Sequence, residues 1–208
     1  MIEAVNIFDD ATVRMLRSYI GWSIESVEGY LLAEGPDQAY KRVRLDLGGV
    51  TIDLVNEHQE LCIGPGRVSD TIAVLRAEEN DGAKLWAPRG KELTRRALDF
   101  YIDDILMVHD TVILSKGSIK KNKVKLVQAV IFRNGDELLA FDRDIWFDEN
   151  IIVRTATVPP YAEGFITEDD IHEAALGMLR DCAGDWAEEP PYSYEFSRDL
   201  LSVTAERR

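Results

Sequence analysis

The sequence predicts an α+β protein, built mainly of antiparallel β-sheet, as a sheet or in a barrel-like arrangement, with a few helices. Three observations carry that expectation. Residues 43–54 alternate apolar and polar side chains on both sides of Gly48-Gly49, the mark of a hairpin with one wet face. Residues 9–20 carry a helix start followed by apolar positions three and seven apart. The order of such patterns then recurs further along, which reads as an internal duplication of a helix-plus-strands unit with a helical carboxyl-terminal extension.

The elements follow in order. Asp9-Asp10 opens a helix through Val13, Leu16 and Ile20, and Gly21 ends it. Residues 22–33 form a strand, residues 34–37 a turn, and Val43, Leu45, Leu47, Val50, Ile52 and Leu54 line the inner face of the hairpin. A short apolar segment at 61–63, a Gly-Pro-Gly turn and a strand at 71–77 complete a first unit, residues 1–77. Charge, Gly and Pro mark residues 78–90 as a connection.

The second unit, residues 91–158, opens with a helical pattern through Leu93, Ala97 and Tyr101, then a strand at 105–115. Sliding the chain by 81 sets Leu16, Ile20, Ile24, Val27 and Leu31 on Ala97, Tyr101, Ile105, Val108 and Val112. A second hairpin turns at Asn134-Gly135, and residues 127–132 are apolar almost throughout, as in a strand covered on both faces. Identity between the two units is sparse, so two unrelated runs of common pieces remain the alternative. Residues 159–208 add a helix in which Thr167 and Asp170 cap and Ile171, Ala174, Ala175, Met178 and Leu179 form the stripe. A docked tail rich in Tyr192, Tyr194, Phe196, Leu200 and Leu201 ends the chain.

Composition narrows the function. The net charge of −14 repels phosphate backbones and anionic lipid, so neither nucleic acid nor a membrane is an expected partner. Two widely separated cysteines, Cys62 and Cys182, and no apolar amino-terminal leader point to a reducing, cytoplasmic setting. One stretch reverses the charge: residues 111–135 hold no acid, while Lys116, Lys120, Lys121, Lys123, Lys125 and Arg133 supply +6. The lysines read either as a solubilising hairpin tip or as a patch for an acidic partner.

Chemistry finds few footholds. The three histidines, His58, His109 and His172, form no closely spaced ligand pair, and no serine or cysteine nucleophile motif is present. Gly64-Pro65-Gly66 is followed by a strand, where a phosphate cradle needs a helix. The densest candidate is the acid cluster Asp142, Asp144, Asp148 and Glu149 with Trp146 beside it, a set of ligands suited to a hard cation or to acid catalysis. No cofactor and no resident metal are assigned. The expected function is a non-catalytic binding or regulatory protein acting on a protein partner or on a second copy of itself. The alternative is an acid-based, metal-assisted hydrolase or lyase centred on residues 142–149, with His109 delivered from a neighbouring strand.

Overall fold

The structure, a computed structural model, describes residues 2–33, 38–62, 69–80, 82, 84–87, 92–117, 119–143, 149–157 and 192–204. They form β1 (Ile2–Asn6), α1 (Asp10–Ser18), β2 (Ser23–Ala33), β3 (Gln38–Asp46), β4 (Thr51–Cys62) and β5 (Ser69–Glu79). Then follow β6 (Leu93–Tyr101), β7 (Asp104–Lys116), β8 (Ile119–Asn134), β9 (Glu137–Arg143), β10 (Ile151–Thr157) and β11 (Tyr192–Ser202).

All eleven strands join one open sheet, whose main path runs β11-β7-β8-β9-β10-β3-β2-β6. Two strands are forks. Along β3, one edge carries β2, while the other is shared by β10 at Gln38–Tyr40 and β4 at Arg42–Asp46. Along β8, one edge carries β7, and the other is shared by β1, the one parallel partner, and by β9. β5 hangs from β4.

The predicted α+β balance is therefore wrong: α1 is the one helix among the described residues, and the architecture is an antiparallel sheet with neither a barrel's closure nor a few helices. The error is concentrated in β6. Leu93, Ala97 and Tyr101 are four apart, a spacing that fits one face of a helix and, being even, one face of a strand as well. Pairing with β2 from Tyr30↔Leu93 to Ser23↔Tyr101 decides for the strand. The helical pattern of the first unit is thus a helix, α1, where that of the second is the strand β6. At the carboxyl end, the tail at residues 192–202 lies along β7 as a strand. The helix expected around residues 167–179 lies outside the described residues.

Where the sequence signals were local and unambiguous, the structure follows them. The Asp9 carboxylate accepts the Thr12 amide at 2.7 Å, capping α1, and that bond holds its carboxyl below the usual range. Gly48 and Gly49, at φ of 77° and 128°, make the β3–β4 turn that other residues resist. Leu16 and Val13 of α1 pack into a core with Ile24, Val43, Leu45, Ile52, Leu54, Phe132 and Phe141. Each such side chain stabilises the fold by about 1.5–3 kcal/mol. Phe132 and Phe141 meet edge to face with ring centres 5.8 Å apart. β8 is buried on both faces, since Val130 and Phe132 join this core and Ala129 and Ile131 a second cluster with Leu106, Val108, Leu138 and Ala140.

Candidate functional site

A cavity of about 210 Å³ lies on the outer face of β2–β4, lined by Tyr30, Lys41, Arg42, Val55, Glu57, Leu85 and Trp86. Its construction begins with a β-bulge. Gly29 pairs with Val43 and Leu31 with Tyr40, so the single residue Tyr30 faces two, Lys41 and Arg42. Adjacent strand residues normally point to opposite faces, and the bulge is what brings both cations to one groove. Gly29 makes room for it: a Cβ there would lie 2.6 Å from the Tyr40 ring and 2.7 Å from the Arg42 carbonyl oxygen.

Val55, opposite Arg42 in the ladder and only 1% exposed, forms the apolar floor. Leu85 and Trp86, from the connection after β5, form the wall, and Trp86 is 75% exposed. Ion pairs fix the rim. Lys41 reaches Glu149 at 2.6 Å, and this contact first, then the His58 amide, lowers the Glu149 carboxyl from its usual range. Glu57 is held by Arg76, which also lies near Glu78. Arg42 stands 3.8 Å from Asp53 and 4.0 Å from Glu78, beyond hydrogen-bond reach. Asp53 is already engaged by Arg44, at 2.7 and 2.9 Å, and by Asn80 at 2.8 Å. The buried Arg42 Nε consequently has no hydrogen-bond partner among the described residues.

Of the acid cluster, Asp142 and Glu149 are described, and they serve different cations. Asp142 is fully buried on β9 and accepts from Arg154 of β10 at 2.7 Å. Glu149 belongs to the groove rim. Asp144, Trp146 and Asp148 lie outside the described residues. His109 is buried on β7, with β8 between it and the strand of Asp142. No group of three or more His, Cys, Asp or Glu among the described residues is arranged to hold a metal ion.

The lysine stretch runs along the β7–β8 hairpin, with Lys116 pairing with Ile119 beside its turn. Lys123 lies 3.8 Å from Glu3 of β1, and Lys125 lies 3.7 Å from Asp199 of β11. Lys116, Lys120 and Lys121 belong to β7 and β8 by backbone, and their side chains are outside the described part. A second set of charges is buried at this end of the sheet. Asp110 accepts two hydrogen bonds from Arg198, at 2.7 and 2.8 Å, and burial pushes its carboxyl up despite them. Arg143, 1% exposed, is pulled down to about 9 by desolvation, which the nearby Asp110 charge opposes. These pairs are enclosed, and they organise β7, β9, β10 and β11.

Sequence reasoning missed the groove, because four separate segments assemble it. The signal that was available is Trp86, a large aromatic in an otherwise polar connection. The chain matches no protein family, no curated protein and no solved structure. No helix among the described residues is long and apolar enough to cross a membrane.

Proposed function

We propose that this chain is a non-catalytic binding protein that grips a partner protein through the groove under Trp86. The Arg42 Nε, enclosed beside an apolar cavity and paired with Asp53 only at 3.8 Å, without a hydrogen bond, supports the reading together with the Val55 floor and the exposed Trp86 wall. Size selects the class of occupant. At about 210 Å³ the cavity falls below the roughly 300–1,000 Å³ of metabolite and drug sites, and suits one large side chain. Trp, Tyr and Arg, all present here, are the residues that dominate binding energy at protein interfaces. The occupant is an aromatic or aliphatic side chain with a carboxylate or carbonyl acceptor beside it. Because a net charge of −14 repels acidic proteins at long range, the partner is neutral or basic overall.

N-acetyl-phenylalanine and its uncharged amide test this, with the Trp86 indole N–H followed by NMR. A probe of about fifteen heavy atoms, at roughly 0.3 kcal/mol each, binds in the millimolar range. Both probes should move the Trp86 signal, the acid more strongly, and Arg42→Gln should remove that preference. A Trp86 signal unmoved by millimolar probe overturns the proposal.

A further inference from the structure

Around the groove, each cation but one has a close acid. Lys41 is paired with Glu149 at 2.6 Å, Arg44 with Asp53 at 2.7 Å, and Arg76 with Glu57. Arg42 has no ion pair shorter than 3.8 Å among the described residues. Lys41 beside it spends one of its three ammonium donors on Glu149.

The other hairpin fills the corresponding place from its own sequence. In β8 the extra residue of a bulge is Gln128, and it falls as far before the turn at Asn134 as Lys41 falls before the turn at Leu47. There Asp142 stands opposite Ala129, as Val55 stands opposite Arg42. One hairpin thus buries a carboxylate of its own at this place, while the other sets an apolar floor there with a cation facing it.

We propose, resting on the reading above, that the groove takes the carboxyl-terminal residue of its partner chain, with an aromatic side chain over Val55 and the α-carboxylate against Arg42 and Lys41. Spacing separates this from an acidic side chain. Directly opposed ladder residues have Cβ atoms about 5 Å apart, so an acceptor for Arg42 must lie about that far from a ring held over Val55. An α-carboxylate belongs to the same residue as the ring. The side chains before and after it leave an extended chain on the opposite side. An internal carbonyl lies near enough but is uncharged, and hydrogen bonds to a charged acceptor are roughly twice as strong. A chain end also suits a cavity of about 210 Å³ rimmed by ion pairs, because a chain passing through would need a second exit.

Three peptides test the proposal, with the Trp86 indole N–H of the full chain followed by NMR. They are acetyl-Gly-Phe with a free carboxyl group, its amide, and acetyl-Gly-Phe-Gly, which carries the same charge one residue further on. The first should bind about tenfold more tightly than either of the others, the difference between a charged and a neutral acceptor. Arg42→Gln should bring all three to a common affinity. If the first peptide binds no more tightly than the other two, or keeps its advantage in Arg42→Gln, the proposal fails and the aromatic pocket stands. If all three leave the Trp86 signal unmoved at millimolar concentration, both fail.

Discussion

Lys41 and Glu149 meet at 2.6 Å across the joint where β10 lies against β3, so one ion pair fastens both the groove rim and the link between distant parts of the sheet. Lys41 lowers the Glu149 carboxyl below the value it has in an unfolded chain. The unfolded state therefore binds the proton first as pH falls. The stabilisation is complete above about pH 4.5, the unperturbed value, and is lost as pH drops through the folded one. Glu149→Gln should melt below wild type at pH 7, and the gap should close towards pH 3. A gap that stays constant across that interval would sink this account.

Asp110→Asn should cost about 3 kcal/mol, because it leaves Arg198 and the buried Arg143 short of a countercharge in a desolvated place. Replacing both partners, as Asp110→Leu with Arg198→Met, should cost less than Asp110→Asn alone, since no buried charge is orphaned at that pair. Urea denaturation of the two variants gives the comparison, and a double variant less stable than the single one contradicts it.

Gly29→Ala should destabilise by about 1–3 kcal/mol. The added methyl meets the Tyr40 ring at 2.6 Å and a backbone oxygen at 2.7 Å, and the oxygen belongs to a ladder that cannot give way freely. The ordinary benefit of replacing glycine, about 0.4–1 kcal/mol through the unfolded chain, is too small to reverse the sign. A raised denaturation midpoint would show that the bulge tolerates the crowding.

Exposure separates two aromatic substitutions. Trp86→Ala, at a site 75% exposed, should leave stability within about 0.5 kcal/mol while weakening capture of a partner side chain. Phe141→Ala, at a fully buried site against Phe132, should cost about 3–5 kcal/mol. Thermal melts of both variants decide it; a large loss of stability on removing Trp86 would make that residue a structural support.

How much of this the sequence disclosed depends on where each signal lies. The Asp9 cap and the Val43-to-Leu54 alternation are written in neighbouring residues, and both were legible. β6 was misread because a spacing of four serves either period and only β2, about seventy positions away, chooses between them. β11 carried its own sign, Tyr192, Tyr194 and Phe196 alternating with Ser193, Glu195 and Ser197, which reads as a strand once the mixed prolines before it are set aside. The groove had no local sign beyond Trp86. It depends on one extra residue in β3 relative to β2, a matter of register between strands that no stretch of sequence displays alone.

The fork in β8 sets an order of events during synthesis. Ile2 lies beside Asn122 and Asn6 beside Leu126. Among the described residues β1 therefore has no ladder partner until the segment 120 positions further on has been made. Contacts that distant slow folding. Throughout that interval the backbone donors and acceptors that β1 later shares with β8 are left to water.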